Sequence, residues 1–166
     1  MKNAEKLQIT TPSDRELAMT RSFNAPRSLV WDAWTKPELL KQWLGVRGGW
    51  TFAVCEVDLK VGGKYRYVWR GPTGIEMGMG GVFREVVKRE RMVATEKFDQ
   101  SWYDGDALDT TTFLESGGKT TVTTTVQYAS KAVRDAVLKS PMDKGVAESY
   151  DKLDEVLASR PAAAAR

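Results

Sequence analysis

From Trp50 to Tyr128 apolar and polar residues alternate, and the alternation is interrupted at "KVGG", "GPTG", "YDGD" and "ESGG". A period of two puts successive side chains on opposite faces of a pleated strand, and such phrases are turn chemistry. The region therefore reads as an antiparallel meander with one face covered and the other wet. In "KYRYVWR" Tyr65, Tyr67 and Trp69 share one face, while Lys64, Arg66 and Arg70 share the other. In "TTVTTTVQY" Val122, Val126 and Tyr128 oppose Thr121, Thr123 and Thr125. Further strands are expected at 50–58, 76–87, 91–99 and 107–116.

What precedes and follows the meander supplies its cover. "ELAMTRSF" alternates Leu17, Met19 and Phe23 and predicts a first strand. Pro26 and Pro37 each suit the first turn of a helix, so two short helices are expected next. The first carries Leu29, Val30, Ala33 and Trp34 on one face, with Trp31 offset as a partly exposed lid. The second carries Leu39, Leu40, Trp43 and Leu44 and ends at Gly45. Ser130 caps a further helix, and "SPMD" at Ser140 to Asp143 resembles a fresh helix start with Ser140 as cap. The last helix bears Val146, Tyr150, Leu153 and Leu157 on one stripe, which should lie across the sheet's concave side. The expected fold class is α+β, with about seven antiparallel strands and helices gathered on one face.

The 166 residues suit a single domain over 14–158, with a flexible segment at 1–13 and a flexible tail at 159–166. Twenty-five basic against 22 acidic residues, net charge +3, give no basic face for nucleic acid. No apolar run has the length of a membrane span or the form of a signal peptide, so a cytoplasmic address is expected. Histidine is absent, which removes the Ser-His triad and the commonest zinc ligand. No metal-ligand spacing appears, and no cofactor is expected. Cys55, the single cysteine, lies within "FAVCEVD" and reads as a packed apolar side chain.

Four phrases carry a family resemblance: "FNAPRSLVWDAWTKPELLKQW" at Phe23 to Trp43, "EVDLKVGGKYRY" at Glu56 to Tyr67, "GGVFREV" at Gly80 to Val86, and "MDKGVAESYDKLDEVL" at Met142 to Leu157. In this order they resemble the START-like superfamily, and within it the C-terminal domain of the activator of heat-shock protein 90 ATPase, in its stand-alone bacterial type. The resemblance implies a helix-grip fold, a curved sheet wrapped around the C-terminal helix. It also implies an apolar cavity that takes lipids, polyketides or other hydrophobic molecules, and some relatives are cyclases or hydrolases.

The candidate cavity is drawn from the aromatic and sulfur-bearing faces. Tyr65, Tyr67 and Trp69 are expected beside Met77, Met79, Gly81 and Phe83 on the neighbouring strand, with Gly81 leaving room. Trp50 and Phe52 would join them from the preceding strand, Trp34 and Trp43 from the short helices, with Trp43 at the mouth. Met142, Gly145, Val146, Ser149 and Tyr150 would form the helical wall. The expected ligand is a small hydrophobic molecule of the lipid or polycyclic aromatic class. Two alternatives differ in kind. A protein partner of the co-chaperone sort would need Trp31 or Trp43 in an exposed patch. Catalysis would need Glu56, Glu85 or Tyr67 to meet inside the cavity, since alternation places Glu56 with Trp50 and Phe52 and Glu85 with Met77 and Phe83.

Overall fold

The computed structural model describes residues 6–101 and 103–160. The chain begins with β1 (Gln8–Thr10) and β2 (Glu16–Phe23), passes through α1 (Arg27–Thr35) and α2 (Pro37–Leu40), and enters the meander. The meander comprises β3 (Thr51–Val57), β4 (Lys64–Arg70), β5 (Glu76–Val87), β6 (Arg91–Phe98), β7 (Ala107–Ser116) and β8 (Lys119–Gln127). Helices α3 (Lys131–Lys139) and α4 (Met142–Ala158) complete it. One antiparallel sheet runs in the order β1-β2-β8-β7-β6-β5-β4-β3, so the α1–α2 excursion carries the chain from one side of the sheet to its far edge. The α+β helix-grip architecture expected from the sequence is what forms.

The strand count differs from expectation. Gln8–Thr10, within the segment read as loose, pairs with β2 through Gln8↔Thr20 and Thr10↔Ala18. Three residues are too short to show a period, and the partner is the free edge of β2, whose backbone groups need mates. Residues 1–5 and 161–166, also read as loose, lie outside the described residues. At the described start of the tail, Ser159 donates its backbone N–H to the Glu155 carbonyl and its hydroxyl to that of Val156.

Helix boundaries follow local chemistry. The Ser130 hydroxyl accepts the Val133 N–H at 3.2 Å, the N-cap expected for α3. Ser140 does not cap α4. That helix starts one residue later than expected, with Pro141 at its cap position, and the Ser140 hydroxyl instead donates to the Val137 carbonyl at 2.6 Å, closing α3.

Tyr150, Leu153, Val156 and Leu157 of α4 are buried with Phe23, Phe113 and Val122 of the sheet. Trp31, expected as a lid, is 2% exposed, its ring 5.2 Å from that of Phe113. Helix α1 buries Leu29, Val30, Trp31, Ala33 and Thr35, so it has almost no solvent-facing side on which a lid could sit. No helix among the described residues is long and apolar enough to cross a membrane.

Candidate functional site

Pairing of β4 with β5 sets Tyr65 opposite Gly81, Tyr67 opposite Met79 and Trp69 opposite Met77. Cross-strand partners share a face, so rings and thioethers form one continuous wall. Along β4 the ring centroids of Tyr65 and Tyr67 are 5.1 Å apart and those of Tyr67 and Trp69 are 5.8 Å apart. Met142, Gly145, Val146, Ser149 and Tyr150 of α4 line the same space, as do Trp34, Trp43 and Trp50. With Phe83, these side chains enclose a space of about 550 Å³, within the ~300–1,000 Å³ typical of small-molecule sites.

Three of the aromatic side chains have their polar atoms engaged by backbone. The Trp69 indole donates to the Leu44 carbonyl at 2.9 Å, that of Trp43 to the Ala33 carbonyl at 3.0 Å, and the Tyr65 hydroxyl to the Thr95 carbonyl at 2.7 Å. The Gly45 N–H donates to Ser149 Oγ at 3.1 Å, tying the turn after α2 to the last helix. These three aromatic side chains thus satisfy their N–H or O–H on backbone. Trp43 has no exposed surface and lies at the back of the space, not at its mouth. Trp34, on the stripe expected to pack and also expected in the cavity wall, is partly exposed and borders the cavity, with its ring 4.7 Å from that of Trp43. Arg47 crosses the rim, ion-paired to Glu148 at 3.0 Å. Its guanidinium passes over Gly145, where a Cβ would lie 3.1 Å from Nη2.

Two wall residues from the sequence reading stand elsewhere. Phe52 packs beside the wall, its ring 5.0 Å from Trp69 and 5.8 Å from Tyr67, and does not border the space. Gly81 does not open space. A Cβ there would lie 1.8 Å from the Thr95 carbonyl oxygen, so glycine is required for β5 and β6 to approach.

Of the candidate catalytic groups only Tyr67 borders the cavity. Glu56 and Glu85 point outward, each for the same reason. A register shift between Phe52 and Val54 in β3 reverses the alternation, so Cys55 pairs with Tyr67 and Glu56 with Arg66. A second shift between Phe83 and Glu85 in β5 turns Val86 inward and leaves Glu85 on the surface, 3.1 Å from Arg91. An extra residue in a strand flips every side chain beyond it. Burial pushes the Cys55 thiol up to about 11, which keeps it protonated.

The carboxyl groups that do face the cavity are Glu96 of β6 and Asp109 of β7. Adjacent registers, Ala94↔Asp109 and Glu96↔Ala107, bring them together diagonally, within hydrogen-bonding reach of each other. Burial holds Glu96 above the usual carboxylate range. Burial and then the neighbouring Glu96 charge hold Asp109 well above it. Asp109 Oδ1 is buried and receives no N–H or O–H from the described residues. Its contact with Glu96 bonds only when one of the two carries a proton. The signal was present in the sequence: Glu96 shares the alternating face of Met92, Ala94 and Phe98, and Asp109 that of Ala107, Thr111 and Phe113. Among the described residues no group of three or more His, Cys, Asp or Glu is placed to hold a metal ion.

The pattern for activator of Hsp90 ATPase homolog 1-like proteins matches residues 24–158. A crystal structure of a Rhodobacter sphaeroides protein is similar at 34% identity and TM-score 0.88, covering 93% of this chain and 99% of the other. A Mycobacterium smegmatis protein shares the fold at 23% identity and TM-score 0.79, over 92% of this chain and 97% of that one. A Plasmodium falciparum protein described as an HSP90 activator aligns at 25% identity and TM-score 0.53, over 68% of this chain and 72% of its own. No curated protein matches. A family pattern that spans most of the chain, joined to near-complete overlap with the Rhodobacter protein, means that this chain belongs to the activator of Hsp90 ATPase homolog 1-like family.

Proposed function

We propose that this protein binds a small hydrophobic or aromatic molecule in the space between the curved sheet and α4. The observation that carries this reading is the wall itself: aromatic rings and methionines border about 550 Å³, and the polar atoms of Trp43, Tyr65 and Trp69 are engaged by backbone. Core side chains ordinarily pack to crystal-like density, and an apolar space of this size is the usual form of a ligand site. Native mass spectrometry of protein purified from cell extract, followed by titration with polycyclic aromatics and lipids, tests it. The expected result is a retained compound or saturable quenching of tryptophan fluorescence, weakened when Val146→Trp fills the space. Absence of both in the wild-type protein would remove the reading.

Family membership and the likeness to the Plasmodium protein favour a second reading, a co-chaperone-like contact with heat-shock protein 90. Trp31 and Trp43 are buried and cannot supply its docking patch, so such a contact would use other surface. A pull-down with heat-shock protein 90 and an ATPase assay decide it, and an unchanged turnover rate with no capture would exclude it.

A further inference from the structure

We infer that the molecule bound is a hydrophobic amine, its nitrogen held by Glu96 and Asp109 and its apolar body laid against Tyr65, Tyr67 and Trp69. This rests on the cavity being a ligand site and narrows the class of ligand.

Charge within the cavity is one-sided. Of the residues that line it, Glu96 and Asp109 are acidic and Arg47 alone is basic, and Arg47 lies at the rim on Glu148. Asp109 Oδ1 lacks a donor among the described residues, and an ammonium brings several. A pair of carboxyls that must share one proton when empty can give it up when a cation arrives, because the cation replaces the proton's charge in a poorly solvated place. The adjoining wall suits the same ligand. Indole and phenol faces attract a cation through the ring quadrupole, and Tyr65, Tyr67 and Trp69 line the same space as the pair. A carboxylate ligand meets the opposite situation, adding a like charge beside the pair. Fatty acids are therefore the least suited of the hydrophobic molecules the cavity's size allows.

The other titratable groups facing the pair do not change charge between pH 5 and 8. They are Tyr65 and Tyr67 of β4, Tyr103 before β7, Tyr128 after β8 and Tyr150 of α4, all phenols pushed up by burial. Beyond them lie Asp106, near Tyr103, and Arg21, near Tyr150 and already paired with Asp151 and Asp154.

The test is calorimetric titration of the wild-type chain with three probes of one skeleton: naphthylmethylamine, naphthylmethanol and naphthylacetic acid. The amine is expected to bind at least about tenfold more tightly than the alcohol, a margin of about 1.4 kcal/mol, and the acid more weakly than both. The amine's affinity should rise from pH 5 to 8 while the alcohol's stays level. In Asp109→Asn and Glu96→Gln, checked for folding by thermal melting, the ratio of amine to alcohol affinity should fall to within about twofold of unity. Should a variant fail to fold, the order of the three probes on the wild-type chain decides alone. Equal binding of all three, or tightest binding of the acid, overturns the amine while leaving the cavity as a ligand site. Binding of none, up to millimolar concentration, also overturns the amine, and the cavity is then judged by the retained compound and tryptophan quenching alone.

Discussion

The Trp43 indole donates its N–H to the carbonyl of Ala33 at 3.0 Å, fastening the segment after α2 to the body of α1. With its ring 4.7 Å from that of Trp34, Trp43 forms the back of the cavity as well as part of the core. Replacing Trp43 by Phe removes the hydrogen bond and part of the ring, an expected loss of about 2 kcal/mol. Trp43→Ala should cost about 4 kcal/mol. Urea unfolding monitored by circular dichroism measures both, and equal losses would show that the phenyl ring retained in Trp43→Phe contributes nothing.

Arg21 of β2 is 3% exposed and paired with Asp154 and Asp151 of α4, the latter at 3.0 Å. Breaking a buried ion pair from one side leaves a charge without compensation. Asp154→Ala should therefore destabilise the fold by about 3 kcal/mol, at the low end because Asp151 remains. The double change Arg21→Met with Asp154→Leu, which removes the Asp154 pair and substitutes apolar contact, should recover most of that loss in the same urea assay. A double variant as unstable as Asp154→Ala would count against a desolvation cost.

Gly81→Ala places a methyl group against the Thr95 carbonyl, 1.8 Å away in the unrelaxed backbone. The strands must separate, and a destabilisation of about 3 kcal/mol is expected. Thermal melting reads it directly. A variant as stable as wild type would mean that the β5–β6 approach is loose.

Glu96 and Asp109 hold protons more tightly in the folded chain than in the unfolded one, where carboxyls titrate near pH 4. Their contribution to stability is therefore full below about pH 4 and declines as pH rises through the raised folded values. Asp109→Asn cannot ionise. Its melting temperature should fall less than that of wild type between pH 5 and 8, and parallel curves would show that the pair carries no such linkage.

Much of the fold was legible because its signals are local. Alternation marked β2 through β8, Pro26 and Pro37 marked where the two short helices begin, although α2 ends at Leu40 and not at Gly45, Ser130 marked the cap of α3, and the stripe from Val146 to Leu157 marked the buried face of α4. The aromatic wall of Tyr65, Tyr67 and Trp69 was legible for the same reason. Only the tertiary structure decided which carboxyl groups face inward. The shifts within β3 and β5 reverse a side chain's face without leaving a mark in the pattern of residue types, and they send Glu56 and Glu85 outward. Glu96 and Asp109 become a pair because hydrogen bonding between β6 and β7 sets their register, a relationship between strands that neither strand's own period contains. Trp31 is packed instead of forming the expected lid for a related reason. The helix period says which side chains share a face, and the packing of neighbours decides which faces meet protein and which meet the cavity.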